Sequence, residues 1–285
     1  MGKHTTSYRE PSVAEYWLVV NDLHSGSEVA PMPKKVEIEL QNGEIKTQYP
    51  NPIQRKLNGF WDYMTEHLPP LTGVICNGDM CEGPNRKSLG HDLWTTNLRT
   101  QVQAAAELLA PIKERMRDPR NFYGTLGSEY HTVDDRPLDQ AVCEAVKGQF
   151  GDDLVVPALH GDFRIHVMHF VAGSSTNWTY LPTTLARGMM ELELANAESE
   201  YGDINWVFRA HRHLEYSFRV GHQGGNVVPS WQGRTKYAVR KGIVSPPKIG
   251  YAILKIYEDG TANVVPFTRK LIAPVKEAKV FEVET

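Results

Sequence analysis

The stretch Trp17-Leu-Val-Val-Asn-Asp22-Leu-His24 is the clearest indication of how this chain folds. Its first half is a run of bulky apolar residues typical of a buried strand, and its second half carries a carboxylate and an imidazole two positions apart. Residues two apart at the end of a strand point to the same side, so Asp22 and His24 could grip one cation. The stretch predicts a strand that presents metal-ligating side chains at its carboxyl end.

Four later strand-like segments end in the same kinds of residue. Ligands of α/β folds gather beyond the carboxyl ends of the strands, so we expect these residues to converge although they are far apart in sequence. The segments are Val74-Ile-Cys76 before Asn77-Gly-Asp79, Asn121-Phe-Tyr-Gly-Thr125 before Gly127-Ser-Glu-Tyr-His131, a strand reaching His169, and Ile204-Asn-Trp-Val-Phe208 before His211-Arg-His213.

Strand-like runs alternate with longer helical patterns, which is the rhythm of an α/β fold. Apolar residues at spacings of three and four predict helices at 53–68, 98–116, 138–150 and 181–199. An Asn42-Gly43 pair between alternating runs predicts a β-hairpin insertion at about 34–50. We see neither an internal repeat nor a linker-like boundary, so a single domain over residues 1–285 is expected.

The composition is that of an ordinary globular protein. With 41% hydrophobic and 23% charged residues, the 285-residue chain is unlike disordered, collagenous or coiled-coil sequences. Its longest apolar run, about five residues, is far short of the roughly 18 that a membrane span needs. A start without an apolar core and three cysteines, an odd number without zinc-finger spacing, favour a cytoplasmic protein with reduced thiols.

The five strand-end motifs resemble those of the calcineurin-like metallophosphoesterase superfamily, which run Asp-x-His, Gly-Asp-x-x-Asp, Gly-Asn-His, a lone His and Gly-His-x-His. The likeness covers residues 17–213 in the right order. The chain also looks like a phage- or prophage-type branch, in which the third motif is loosened and a Trp-Gln segment follows, here Pro229-Ser-Trp-Gln-Gly-Arg-Thr-Lys-Tyr237. The resemblance implies a four-layer α/β/β/α sandwich that hydrolyses phosphate esters.

The resemblance also implies a dinuclear metal site. A hydroxide bridging the two ions would be the nucleophile, and His131 would be the general acid, with Asp134 or Asp135 as candidates to orient it. Imidazole and carboxylate ligands suit Mn²⁺, Fe or Zn²⁺, and the resemblance favours Mn²⁺. The implied ligands are Asp22, His24 and His213 for one ion, Asp79 as the bridge, and His169 and His211 for the second ion.

Two departures from the family pattern bear on this ligand set. The second motif ends in Glu82 instead of aspartate, and Glu82 could still act behind the ligands. The third motif is two residues longer than Gly-Asn-His and lacks the ligating asparagine. Glu129 is the slightly favoured replacement because a carboxylate is the stronger ligand, although Ser128 follows the glycine more directly.

The fourth motif also offers a choice, between His166 and His169. The two histidines are three positions apart on a strand, so they point to opposite faces and only one of them can face the site. His169 is preferred because it lies at the end of the strand, and we expect His166 to be packed or solvated.

The substrate is the least determined feature. Arg212, Arg86 and Arg234 are candidates to bind phosphate, although each could equally be a solvated surface charge. A nucleic-acid phosphodiesterase or nuclease is the first expectation, and the net charge of −3 weighs mildly against an extensive duplex footprint. The alternatives are a nucleotide phosphodiesterase, a phosphomonoesterase, a protein phosphatase, or a catalytically weak binding scaffold with this fold.

Overall fold

The structure is a computed structural model that describes residues 11–39, 42–85, 90–131, 136–171, 180–197, 201–243 and 245–271. The strands are β1 (Val13–Val20), β2 (Val36–Glu39), β3 (Ile45–Gln48), β4 (Gly73–Cys76), β5 (Phe122–Thr125), β6 (Gln149–Gly151), β7 (Leu154–Pro157), β8 (Arg164–Val167), β9 (Trp206–Arg209), β10 (Tyr216–Val220), β11 (Gln223–Val227), β12 (Ile249–Tyr257) and β13 (Ala262–Arg269). The helices are α1 (Pro52–His67), α2 (Leu98–Lys113), α3 (Leu138–Ala145), α4 (Leu181–Ala197) and α5 (Lys236–Arg240).

Two mixed sheets form the centre of the fold. The first has the strand order β13-β12-β1-β4-β5-β6, and the second has the order β10-β11-β9-β8-β7. Strands β1, β4, β5 and β6 run parallel to one another, and so do β8, β9 and β11. Parallel strands end at a common edge, so each sheet collects its strand-end loops on one side.

Strand β1 is buried on both faces, which explains why its sequence does not alternate between apolar and polar residues. Leu18 and Val20 pack with residues of α1, α2 and α3 in one core. Trp17 and Val19 point the other way, into a second core between the two sheets. A third, smaller core lies between the second sheet and α4 and includes Leu185. The predicted α/β class, a four-layer α/β/β/α sandwich, is confirmed.

The strands that carry the motifs lie where the sequence predicts them, but the helix predicted at 138–150 is too long. Helix α3 ends at Ala145, and Lys147 adopts a positive φ of 54° that an α-helix cannot continue through. Residues Gln149–Gly151 then form β6 instead. The C-terminal part of the predicted helix is therefore an edge strand of the first sheet.

Strand β11 has no strand-like sequence, because it contains two consecutive glycines. A Cβ atom on Gly224 would lie 2.5 Å from the ring of Trp206, and one on Gly225 would lie 2.8 Å from the Sδ of Met189. The glycines therefore give Trp206 and α4 room to pack closely on this strand. That requirement arises from the neighbouring elements and is absent from the local pattern.

Strands β2 and β3 pair antiparallel as a hairpin that is separate from both main sheets. Helix α1 follows it and begins with a capping box, in which Asn51 accepts from the backbone N of Gln54 and the Gln54 side chain accepts from the N of Asn51. No helix among the described residues combines the length and the apolar character needed to cross a membrane.

Candidate metal centre

Loops from both sheets meet at the edge where β1, β4, β5, β8 and β9 end. On the first sheet, the backbone N of His24 donates to the carbonyl oxygen of Asp79 at 2.9 Å. On the second sheet, Ala210 N donates to the carbonyl oxygen of His169, also at 2.9 Å. A hydrogen bond of 2.7 Å between His169 Nδ1 and the carbonyl oxygen of Asn77 joins the loops of the second sheet to those of the first. The predicted strand-end residues therefore lie together.

Seven of these side chains form three overlapping clusters that could hold metal ions. In each cluster the candidate ligand atoms all lie within 4.8 Å of one another. His24 and Asp79 each belong to two clusters, so the three clusters make one continuous centre. The clusters are Asp22 with His24 and His213, His24 with Asp79 and His131, and Asp79 with His169 and His211.

The distances between ligand atoms fit a shared cation. Nε2 of His213 lies 3.4 Å from Oδ1 of Asp22, and Nε2 of His169 lies 3.0 Å from Oδ2 of Asp79. Two ligands that each bind one ion at about 2.0–2.2 Å lie roughly 3 Å apart. The distances in the His213–Asp22 and His169–Asp79 pairs are therefore close to those expected when both members of a pair bind the same ion.

Four buried polar atoms at the centre lack a hydrogen-bond partner of acceptable geometry: Oδ1 of Asp22, Nδ1 and Nε2 of His24, and Nε2 of His169. Nε2 of His24 and Nε2 of His169 each lie 3.8 Å from that Asp22 oxygen. Leaving a buried polar atom unpaired costs about 1–3 kcal/mol. Nδ1 of His24 lies 2.8 Å from Oε2 of Glu82, and a divalent cation would satisfy the other three atoms. A set of imidazoles and carboxylates without thiolate suits Mn²⁺, Fe or Zn²⁺.

The backbone is strained at the same residues. Among the described residues, seven non-glycine residues have a positive φ, and five of them belong to the clusters. This conformation costs on the order of 1–3 kcal/mol per residue and persists where the surrounding structure imposes it. The sharp turns aim side chains from different strands at one point. The five are Asp22 (48°), His24 (46°), Asp79 (50°), His211 (70°) and His213 (51°).

Neighbouring groups orient the ligand atoms. Asn21 Nδ2 donates to Oδ2 of Asp22 at 2.5 Å, and the backbone N of His211 donates to the same oxygen at 3.3 Å, which leaves Oδ1 facing the cluster. The Nδ1 of His169 is bound to the Asn77 carbonyl oxygen, so it carries the proton and Nε2 is left for a metal. These hydrogen bonds therefore leave Oδ1 of Asp22 and Nε2 of His169 facing the centre.

The histidines hold both carboxyl groups in the ionised form. Burial alone would raise the pKa of Asp22, but His213, His24 and His169 outweigh it, so the pKa lies well below its usual range. Burial opposes ionisation of Asp79 as well, and His169 is foremost among the groups that lower its pKa. The centre therefore carries two carboxylates at neutral pH.

The histidines themselves shift in opposite directions. Burial lowers the pKa of His169, but Asp79 outweighs it and raises the pKa to about 9. Burial, reinforced by the neighbouring His169, lowers the pKa of His211 to about 4. In His24 the carboxylate of Glu82 is foremost among the groups that outweigh burial and raise the pKa.

The structure brings Ser128, and not Glu129, to the position next to Asp79. Ser128 is buried, its backbone N donates to Oδ1 of Asp79 at 2.6 Å, and its hydroxyl lies 3.1 Å from Oδ2. Glu129 begins a short 3₁₀ turn, Glu129–His131, with its side chain exposed, and it belongs to none of the three clusters. The predicted ligand Glu129 therefore lies exposed outside the clusters, and its role as a ligand stays a prediction.

The cationic candidates differ in position. Arg212 lies half-buried between the two cluster residues of its loop. Arg234 is exposed, and its guanidinium donates to the carbonyl oxygen of Ile243 in the same segment, so the structure does not bring it into the clusters. Arg86, like Asp134 and Asp135, lies outside the described residues.

Sequence reasoning missed Asp139. This buried residue of α3 accepts from the backbone N of Met80 at 2.7 Å and from that of Gly127 at 2.8 Å, so it ties the second and third motif loops together. Burial, and then the nearby carboxylate of Asp79, raise its pKa to about 6. Asp139 stands inside an ordinary helical pattern, and no sequence signal distinguishes it.

No protein-family model and no curated protein matches the sequence. Among solved structures, the chain is similar to Vacuolar Protein Sorting 29 from Cryptosporidium parvum (13% identity, TM-score 0.45, 90% of this chain and 99% of that one). It is also similar to a Vps29 double mutant from Entamoeba histolytica (14%, 0.42, 90% and 99%) and to an archaeal phosphodiesterase (11%, 0.42, 88% and 98%). Values this low are no evidence of shared activity, so function is inferred from the site.

Proposed function

We propose that this chain is a dinuclear metal-dependent phosphoesterase of the calcineurin-like type. One observation carries the proposal: three overlapping clusters of carboxylate and imidazole ligands form a continuous centre through His24 and Asp79, with unpaired buried atoms in it. The order of the motifs along the sequence supports the same assignment. The phage-type branch stays a prediction from the sequence.

The ligand assignment follows the clusters. Asp22, His24 and His213 would hold the first ion. His169 and His211 would hold the second, and Asp79 would lie between the two. Ser128 hydrogen-bonds both oxygens of Asp79 and would keep that carboxylate in place. Mn²⁺ is the first candidate, with Fe and Zn²⁺ as alternatives that this ligand set also suits.

Two bound divalent ions would supply Lewis-acid activation of water and of the phosphoryl oxygens. The chain itself would supply the proton for the leaving oxygen through His131. Its Nδ1 donates to the carbonyl oxygen of Glu82 at 2.5 Å, so Nε2 is the free nitrogen, and it lies 3.7 Å from Oδ2 of Asp79. The His131 side chain is 15% exposed, which leaves it accessible to a substrate.

Arg212 would contact the phosphate, because it lies between His211 and His213 in the loop that supplies ligands to both ions. We favour a phosphodiester in nucleic acid as the substrate. A nucleotide phosphodiesterase, a phosphomonoesterase or a protein phosphatase would use the same centre. A cytoplasmic location is part of the proposal.

A catalytically weak binding scaffold is the second candidate function. The feature that favours it is the third motif, where the hydroxyl of Ser128 stands next to Asp79 in place of an asparagine amide. A hydroxyl is a weaker metal ligand than a carboxylate, so the second ion would be held less firmly. The two candidates differ in whether the metal-loaded protein turns over phosphate esters.

Hydrolysis of bis(p-nitrophenyl) phosphate with Mn²⁺ tests the proposal. The wild-type chain should be active, Asp79→Asn should lose metal and activity together, and His131→Ala should keep metal but lose activity. Exposed His222 provides a matched control, because His222→Ala should behave as wild type. Folded wild-type protein that binds Mn²⁺ without hydrolysing monoester, cyclic-nucleotide, diester or single-stranded DNA substrates would favour the scaffold.

A further inference from the structure

We propose that Glu82 and Gln232 are the positioning residues of the centre: the Glu82 carboxylate, held by the Gln232 amide, fixes the ligand nitrogen of His24. This inference rests on the proposed function for its catalytic meaning. Oε2 of Glu82 lies 2.8 Å from Nδ1 of His24 and accepts from Nε2 of Gln232 at 2.6 Å. Both residues are buried, with Glu82 only 4% exposed.

The Glu82 carboxylate is held on both oxygens. Oε1 accepts from Nδ2 of Asn85 at 2.8 Å, and the Gln232 amide that donates to Oε2 also donates to the hydroxyl of Ser27 at 3.2 Å. An ionised carboxylate is acceptor-only, so these donors fit it without a proton on either oxygen. Glu82 therefore presents a fixed negative charge to His24.

That charge decides which nitrogen of His24 faces the cluster. With Nδ1 turned to Glu82, Nε2 points towards Oδ1 of Asp22, 3.8 Å away. A carboxylate behind a histidine fixes the ring orientation and makes the ligand nitrogen more basic. The second motif thus contributes a bridging ligand, Asp79, and a support for a ligand of the first motif.

The main chain of Glu82 is hydrogen-bonded to a second histidine, His131. Its carbonyl oxygen accepts from Nδ1 of His131, and the rings of His24 and His131 pack edge to face with centroids 4.7 Å apart. One residue therefore orients a metal ligand through its side chain and the proposed acid through its backbone. A side-chain substitution at position 82 separates the two roles, because the backbone bond remains.

The Trp-Gln segment holds Gln232 in place. Trp231 is fully buried, with its ring 4.7 Å from that of Trp61, and its backbone N donates to the carbonyl oxygen of Asp22 at 3.1 Å. The backbone N of Gly233 donates to the carbonyl oxygen of Val29 at 2.7 Å. The residues on either side of Gln232 are therefore both hydrogen-bonded to the loop that carries Asp22 and His24.

The test compares Glu82→Gln and Gln232→Leu with wild type in the full chain. Calorimetric titration of the metal-free protein with Mn²⁺ should give a dissociation constant about 10–100-fold higher for Glu82→Gln, the usual effect of removing such a support. Gln232→Leu should give a smaller increase. Glu15→Gln is the matched control, since Glu15 is an equally buried carboxylate that binds Trp17 and His160. It should titrate as wild type.

A second readout needs no metal. Imidazole NMR of the metal-free protein should show the His24 proton on Nδ1 with a hydrogen-bonded shift that moves in Glu82→Gln, while the His131 signal stays. An unchanged His24 signal, or a wild-type Mn²⁺ affinity in folded Glu82→Gln, would overturn the positioning role. Wild type that shows the His24 signal but neither binds Mn²⁺ nor hydrolyses the diester would overturn the proposed function alone.

Discussion

Two buried histidines, three positions apart in the chain, each pair with a carboxylate, and the two pairs do different things. Nε2 of His166 lies 2.7 Å from Oδ1 of Asp153, and Nε2 of His169 lies 3.0 Å from Oδ2 of Asp79. The residue types and distances are nearly the same. The first pair lies outside all three ligand clusters, and the second is at their centre.

The two pairs differ because the His166–Asp153 pair has a cationic side chain, that of Arg209, beside it. Nη1 of the buried Arg209 lies 3.0 Å from Nδ1 of His166, and the hydroxyl of Tyr201 donates to Oδ2 of Asp153. Burial and then Arg209 lower the pKa of His166, although Asp153 opposes them. This pair therefore has its positive charge within the protein. At the centre, the groups that lower the pKa values of Asp22 and Asp79 are histidines, and a metal ion would supply the remaining charge.

The same substitution in both pairs tests this distinction most directly. Asp79→Asn should reduce Mn²⁺-dependent diester hydrolysis by about 10³-fold or more, equivalent to about 4 kcal/mol, because the centre loses the carboxylate proposed to lie between the two ions. Asp153→Asn should keep metal binding and activity but lower the free energy of unfolding by about 1–3 kcal/mol. Equal activity losses in the two variants would contradict the distinction.

His131→Ala separates proton donation from metal binding. Activity should fall by about 10²–10⁴-fold, the usual contribution of a general acid, while the Mn²⁺ affinity stays near that of wild type. The loss should be smaller for a diester with a p-nitrophenol leaving group than for one with an alcohol, since p-nitrophenol needs less protonation. A loss that is the same for both substrates would argue against His131 as the acid.

Metal addition should stabilise the protein through the centre alone. Mn²⁺ at about 100 times its dissociation constant adds about 2.7 kcal/mol, which raises the melting temperature of a chain of this size by roughly 5–10 °C. Asp79→Asn should abolish the increase, and Asp153→Asn should retain it from a lower starting temperature. Calorimetric melts with chelator and with Mn²⁺ measure both. An increase that survives in Asp79→Asn would indicate binding elsewhere.

The smallest expected effect is the pH dependence of stability that comes from the His166–Asp153 pair. The pKa of His166 is lowered in the folded protein, so below about pH 6.5 the unfolded chain takes up a proton that the folded chain does not. Stability should therefore fall as the pH drops below this value. Between about pH 6.5 and 5, the free energy of unfolding measured by urea titration should fall less in His166→Gln than in wild type. In His222→Ala it should fall with pH as steeply as in wild type.

The strand ends were predictable because their chemistry is local. Apolar runs followed by Asp22, Asp79, His169 or His211 carry the signal in a few adjacent residues, and the geometry of parallel strands implies that such ends meet. The sequence predicts Glu82 as a support behind the ligands, but it does not predict which ligand Glu82 supports. Asp139 lies within a helical pattern, and no sequence neighbour of these residues points to their hydrogen-bond partners.

Hydrophobic periodicity and the residue types at strand ends are enough to predict the layered α/β architecture and most of the residues that converge. The position of Ser128 next to Asp79, with Glu129 exposed, depends on the tertiary structure, because hydrogen bonds to distant loops set the direction of the turn after β5. The contact between Glu82 and His24 depends on long-range packing in the same way. Ligand types are local properties, whereas orientation depends on long-range packing.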